Sequence, residues 1–295
     1  MSSLTPGHVL QGARWNYRVL EPIKGDSTHI STIFKAQIVP RECVVPEVPK
    51  WALIKVALPG DEIATKNMQQ WLDATLAEVK YCPDMRIYSL IKSFLRVAFT
   101  SCVVLENYEY VNTDYKPANI LLSGIQTDRV IAKVGDLGLV VPIGKLINAQ
   151  PYAMRAPEVF LGKACTEPSQ VWAVAAMLLC WIKPGVLGAW GSPFLLLDEA
   201  WPIAKIQRLF PDWEISAPET DLLNVTVKSA RSLSERVPEL QAILPLDEET
   251  KKVEMPQQLR DLLRFILVPD PKLRPSASSV LASSEFREFE NYVSE

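Results

Sequence analysis

Apolar and polar positions alternate in three short runs near the start of the chain. Tyr17-Arg18-Val19-Leu20-Glu21-Pro22 predicts a strand, and Gly25-Asp26-Ser27-Thr28 a turn after it. Ile33-Phe34-Lys35-Ala36-Gln37-Ile38 predicts a second strand, followed by a proline-broken loop from Pro40 to Pro49. Trp51-Ala52-Leu53-Ile54-Lys55-Val56-Ala57 alternates again and stops at Pro59-Gly60. The period then changes. Met68, Trp71, Leu72, Leu76 and Val79 recur at helical spacing and predict a helix over Lys66–Tyr81. Val103-Val104-Leu105 reads as a short buried strand. Downstream the spacing predicts helices at Val171–Trp181, Leu197–Leu209 and Pro256–Val268. Pro211 to Asp247 is polar and proline-interrupted, the pattern of a surface insertion. A strand-rich first part with one helix, followed by a helical remainder, is an α+β organisation.

Composition narrows this only slightly. The chain has 295 residues, enough for a sizeable core, with 48% hydrophobic and 22% charged residues. A net charge of -3 offers no electrostatic reason to expect nucleic acid or an anionic membrane as a partner. The five cysteines, Cys43, Cys82, Cys102, Cys165 and Cys180, form no CxxC pair and lie far from both histidines, so no zinc pattern emerges. Reduced, buried thiols of an intracellular protein, cytoplasmic or nuclear, are the expectation. The N-terminus has no basic-then-apolar signal, and Val171–Trp181 is too short to span a bilayer. No oligomer signal stands out, and a monomer is expected.

The chemistry concentrates in Thr113-Asp114-Tyr115-Lys116-Pro117-Ala118-Asn119, which opens the apolar run Ile120-Leu121-Leu122, and in Asp136-Leu137-Gly138 beyond it. Phosphoryl transfer uses a carboxylate to orient a hydroxyl, a lysine against the transferring phosphate, and an amide oxygen with a second carboxylate to hold magnesium. Lys55 stands on a predicted strand upstream. Ala156-Pro157-Glu158 follows the second motif, and Pro269-Asp270-Pro271-Lys272-Leu273-Arg274-Pro275 stands near the C-terminus.

In this order the motifs resemble those of Ser/Thr protein kinases, particularly kinase-like domains common in filamentous fungi, from about Tyr17 to Phe289. The resemblance implies a bilobal fold: residues 1–106 as an antiparallel-sheet N-lobe with one helix, and 107–295 as a helical C-lobe. The C-lobe would hold a catalytic loop at 112–119, a metal loop at 136–138 and an activation segment at 136–158. It implies ATP and Mg²⁺ as cofactors and a protein substrate. Asp114 and Lys116 would be catalytic, and Asn119 and Asp136 metal ligands. Lys55, Gly25, Thr28 and Leu105 would contact nucleotide, with Asp73 as the acidic partner of Lys55. It also pairs Glu158 with Arg274 in a buried ion pair.

The chain departs from that pattern in four places. Asp26, Thr28 and Ser31 stand where the phosphate loop has glycines, and an aspartate there repels phosphate. Asp73 replaces a longer glutamate. Asn112 and Thr113 replace the histidine and arginine before the catalytic aspartate, and Gln170 replaces an aspartate that anchors the loop. With that arginine gone and no Ser or Thr between Leu139 and Arg155, gating by a phosphorylated Ser or Thr there is not expected. Last, if Val103–Leu105 is the strand linking the lobes, only Asn107–Val111 separates it from Asn112. Two helices of the family would then be absent, and Val171–Leu179 would lose a packing partner. The leading expectation is an ATP- and Mg²⁺-dependent Ser/Thr protein kinase; the alternative is a pseudokinase or truncated scaffold.

Overall fold

The computed structural model describes residues 5–11, 15–23, 32–40, 51–56, 74–76, 79, 81, 83–125, 129–147, 150–192, 199–215 and 220–294. Four strands, β1 (Val9–Gln11), β2 (Trp15–Ile23), β3 (Thr32–Pro40) and β4 (Trp51–Val56), make one antiparallel sheet in chain order. Alternation explains its buried face. Tyr17, Val19, Phe34, Ala36, Ile38, Ala52 and Ile54 form a separate hydrophobic cluster, while Arg18 and Leu20 point to solvent. A register shift between Val19 and Glu21 lets the strand continue to Pro22, which β1 does not reach because it pairs only with Asn16–Arg18. All three expected strands form.

The next expected element is corrected in part. Residues 66–73 lie outside the described residues. Ala74–Thr75, inside the expected helix, is a strand, β5, paired antiparallel with Leu122 and Leu121. Cross-strand pairing takes the backbone groups that a helix would use, and Leu76, just after β5, is buried.

A larger correction follows. Residues Met85–Glu106 form α1, 22 residues and about 33 Å long. Asp84 caps it, its side chain accepting from the Ile87 N–H at 2.9 Å. Ile87, Leu90, Ile91, Phe94, Leu95, Ala98, Phe99 and Cys102 line its buried stripe at helical spacing. Val103-Val104-Leu105 is therefore the last turn of a helix and not a strand. The helix is long and apolar enough to cross a membrane by length and composition, but its apolar stripe lies within the protein core.

Two small sheets carry the central motifs. β6 (Tyr110–Asn112) pairs with β9 (Val140–Pro142), and β7 (Ile120–Ser123) lies between β5 and β8 (Ile131–Val134). Helices follow: α2 (Pro157–Phe160), α3 (Glu167–Ile182), α4 (Ala200–Leu209), α5 (Asp221–Arg236), α6 (Pro238–Gln241), α7 (Leu246–Lys251), α8 (Gln257–Ile266), α9 (Ala277–Ala282) and α10 (Ser284–Ser294). The three expected downstream helices correspond to α3, α4 and α8. The Pro211–Asp247 segment is largely helical: α5 is exposed along most of its length and buries only Val227, Ala230 and Ser234.

Every residue from Val171 to Leu179 is buried. The partner expected to be missing is α1, which packs on α3 as well as on α9 and α10. The lobe boundary drawn at residue 106 rested on the misread strand. Core membership does not follow it, because Leu76 and the α1 stripe belong to the larger hydrophobic cluster.

The buried Lys205 of α4 donates to the Gly185 and Trp190 carbonyls, each at 2.7 Å, and makes no ion pair among the described residues. Desolvation lowers its pKa from 10.5 to about 8, against a smaller upward pull from Cys180. Between those values the unfolded chain binds the extra proton, so stability rises with pH across this window. Urea unfolding from pH 8 to 10.5 is expected to show a rise of about 1–2 kcal/mol, after discounting for solvent screening, that Lys205→Met lacks. Parallel pH profiles for the two proteins would exclude it.

Candidate active site

The ribbon of β6 and β9 holds the 112–119 loop at its entry. The Asn112 N–H donates to Gln170 Oε1 at 2.8 Å, from the first turns of the buried α3. Asn112 Oδ1 accepts from the Asp114 N–H at 2.9 Å. Both the N–H and the hydroxyl of Thr113 donate to the Leu139 carbonyl, at 3.2 and 2.8 Å. Gln170 thus supplies the loop anchor in place of the expected aspartate, and Asn112 relays it to Asp114. The relay is imperfect: Gln170 Nε2 and Asn112 Nδ2 are both buried and have no hydrogen-bond partner among the described residues. Gln170→Leu would strand the Asn112 N–H and is expected to cost about 1–3 kcal/mol. Amide hydrogen exchange at Asn112 is the direct readout; unchanged protection would remove Gln170 from this role.

Three of the expected polar residues meet inside the loop. Asp114 is 5% exposed. Its Oδ2 accepts from Asn119 Nδ2 at 2.9 Å and pairs with Lys116 Nζ at 3.0 Å. Asn119 Nδ2 also donates to the Asp114 carbonyl at 2.8 Å. The loop can hold this shape because its middle is tied down. Tyr115 is buried, and its hydroxyl donates to Ser101 Oγ of α1 at 3.1 Å and accepts from Cys102 Sγ at 3.3 Å. Pro117–Asn119 closes as a short 3₁₀ turn leading into β7.

Asp136 reaches the same region through its neighbour: the Gly135 N–H donates to the Asn119 carbonyl at 2.7 Å. Asp136 itself has φ 51°, a left-handed conformation uncommon for a non-glycine residue, and its carboxylate accepts from the Gly138 N–H at 3.4 Å. Among the described residues no group of three or more His, Cys, Asp or Glu could hold a metal ion. The donors at hand are hard oxygens: the Asp136 carboxylate and Asn119 Oδ1, which accepts no hydrogen bond among the described residues. Such a sparse set suits Mg²⁺, which keeps water and substrate oxygens in its shell, better than a metal requiring a full protein cage.

The other site expectations divide. Lys55 lies on β4 opposite Ile33, with its side chain outside the described residues. Gly25, Thr28 and Asp73 also lie outside them. Leu105 is corrected. Its backbone belongs to the last turn of α1, where its carbonyl already accepts from the Tyr108 N–H at 3.0 Å, so it offers no strand edge to a nucleotide base.

Sequence reasoning missed a latch beside the loop. Gln150 has φ 69°, and its carbonyl accepts from Arg155 Nε and Nη2 at 3.3 and 3.0 Å. Its side chain accepts from the Ala156 N–H and donates to the Ser169 carbonyl. The Arg155 guanidinium lies 4.6 Å from the Tyr152 ring centroid and 5.2 Å from that of Phe160. A glycine would have advertised the left-handed turn; a glutamine does not.

Glu158 and Arg274 meet as expected. Arg274 Nη1 and Nη2 donate to Glu158 Oε1 and Oε2 at 2.8 and 3.0 Å. This bidentate pair ties α2, which begins at the end of the 136–158 segment, to the loop before α9.

No family model matches the chain. It is 27% identical over 182 residues to the stress-activated protein kinase JNK of Drosophila melanogaster, a match covering 58% of this chain and 46% of that protein. It is 39% identical over 72 residues to a Dictyostelium discoideum protein described as a probable serine/threonine-protein kinase, roco7, covering 23% of this chain and 3% of that protein. The chain thus spans less than half the length of the curated relatives it matches. Antiparallel sheets near the N-terminus, the many helices after them and these partial likenesses together point to a protein-kinase-like domain.

Proposed function

We propose that the chain is an ATP-dependent protein kinase acting on Ser or Thr hydroxyls of a protein substrate. The observation that carries this reading is the convergence of Asp114, Lys116 and Asn119 within one anchored loop, with Asp136 tethered to Asn119 through Gly135. Asp114 would accept the hydrogen bond of the attacking hydroxyl, orient its oxygen toward the γ-phosphorus and take its proton as the bond to the departing ADP oxygen breaks. Lys116, already beside that carboxylate, would face the charge on the phosphoryl group in flight. Asn119 and Asp136 would hold Mg²⁺, which neutralises phosphate charge when bound. Lys55, on β4, would pair with the nucleotide phosphates. The β1–β4 sheet would serve as the N-lobe and the chain from β5 onward as the C-lobe, which moves the proposed boundary from residue 106 to between Val56 and Ala74. Leu105 has no part in this proposal.

A pseudokinase scaffold is the second reading, favoured by the aspartate and missing glycines of the 25–31 segment. The supposed loss of two helices supports it less, since α1 occupies the place of one of them. Thermal unfolding with and without MgATP, together with transfer of labelled phosphate to a basic protein, separates the two readings. A thermal shift with transfer supports the kinase; a shift without transfer supports the scaffold. No shift and no transfer by folded protein would overturn the kinase and leave a scaffold that binds no nucleotide.

A further inference from the structure

Away from the loop, a groove of about 590 Å³ opens between the C-terminal end of α4, α7 and the end of α8. Its apolar lining includes Phe210, Trp213, Leu246 and Leu267. Phe210 rests against Trp172 of the core, ring centroids 5.8 Å apart, and Leu267 is 2% exposed. This floor cannot move without disturbing α3. Val268 and Pro269 form part of the wall, and their carbonyls are held by Arg274 at 2.7 and 2.9 Å. Opposite, Arg208 holds the Gln241 and Ile243 carbonyls, each at 3.2 Å, and so fixes the approach to α7 against α4. The groove is therefore built before any ligand arrives.

Its charge is one-sided. Asp212, Glu214, Asp247 and Asp270 line it against a single guanidinium, Arg264, which is committed to Asp247 at 2.8 Å. Asp270 receives the Lys272 N–H at 2.9 Å. Asp212 and Glu214 are exposed and make no hydrogen bond or ion pair among the described residues. Leu273, 74% exposed, adds an apolar side chain at the groove. An apolar trough with surplus carboxylates complements an apolar side chain flanked by cations and repels an acidic segment. The volume suits one or two bulky side chains of an extended segment.

We propose that this groove is a docking site for a short basic segment of a partner protein, which inserts apolar side chains between flanking lysines or arginines. The site is independent of the phosphoryl-transfer reading. It uses none of the residues given catalytic roles.

The test is fluorescence anisotropy on the full chain, with a fluorescein-labelled synthetic peptide carrying two leucines between two pairs of arginines. Two comparison peptides replace the arginines by glutamate or the leucines by serine. The basic apolar peptide is expected to bind at least about tenfold tighter than either, with affinity falling as salt rises. The double change Asp212→Lys with Glu214→Lys is expected to weaken it by about tenfold or more. The pair Glu235→Lys with Glu288→Lys, neither of which lines the groove and which alters net charge equally, is expected to leave it nearly unchanged. Equal weakening by the two pairs, equal binding of the serine or glutamate peptide, or no binding by folded wild type would each overturn the proposal.

Discussion

Replacing Arg274 by methionine is expected to lower the free energy of unfolding by about 3–5 kcal/mol, the range for breaking one half of a buried ion pair. The Arg274 side chain is 0% exposed and that of Glu158 is 7% exposed. All five guanidinium N–H groups have acceptors: the Val268 carbonyl for Nε, Glu158 Oε1 and the Pro168 carbonyl for Nη1, and Glu158 Oε2 and the Pro269 carbonyl for Nη2. The guanidinium also sits 5.1 Å from the Trp172 ring centroid. Methionine would fill much of the volume but leave the Glu158 carboxylate, among the described residues, with only the Ser169 hydroxyl at 3.1 Å. Three carbonyls, of Val268, Pro168 and Pro269, would lose the guanidinium as a donor. Lysine is expected to rescue little, since its point charge cannot reproduce the planar fork. Adding Glu158→Gln to Arg274→Met should recover part of the loss, because the uncompensated charge disappears. Urea unfolding of the wild type, Arg274→Met, Glu158→Gln and the double variant gives the cycle. A loss below about 1 kcal/mol for Arg274→Met would mean that the pair is no more than a surface contact energetically.

The second large effect belongs to Asp114. Asp114→Asn is expected to reduce phosphate transfer by about 10²–10⁴-fold, the usual contribution of a positioned acid–base group. An asparagine side-chain oxygen can still accept from Asn119 Nδ2, so the loop should keep its shape and MgATP should still raise the unfolding temperature. What disappears is the negative charge that orients and deprotonates a hydroxyl. The variant also leaves Lys116 without this carboxylate partner, so Lys116→Met is a useful companion: if Lys116 served only to neutralise Asp114, its removal would leave transfer intact. Transfer by Asp114→Asn at the wild-type rate would take Asp114 out of the chemistry and leave the proposed function without its central residue.

These expectations were readable from the chain to very different degrees. The loop from Asp114 to Asn119 is legible because its residues lie within six positions and need only one turn to meet. The β2, β3 and β4 strands are legible because each alternates over a half-buried sheet. The pairing of Glu158 with Arg274 crosses 116 residues, and only the family resemblance brought it within reach. The largest misreading, α1, has a local cause. Val103 and Val104 are β-branched and strand-like when read alone, whereas the stripe from Ile87 to Cys102 declares a helix only over its full length. Ala74–Thr75 fails for the opposite reason: a helical period runs through residues whose backbone is taken by β7. No spacing rule announces the left-handed Gln150 or the Tyr115 tether to α1, since both depend on what the fold brings alongside.

The distance along the chain between Glu158 and Arg274 also sets an order of events in the cell. Translation at about 5–20 residues per second separates their synthesis by about 6–23 s. From the completion of α3 at Ile182 to the end of that interval, the guanidinium that lies over Trp172 has not yet been made. The most apolar helix among the described residues must therefore wait, incompletely covered, for a residue still to be translated. That wait makes the nascent chain, rather than the finished fold, the form most in need of a chaperone.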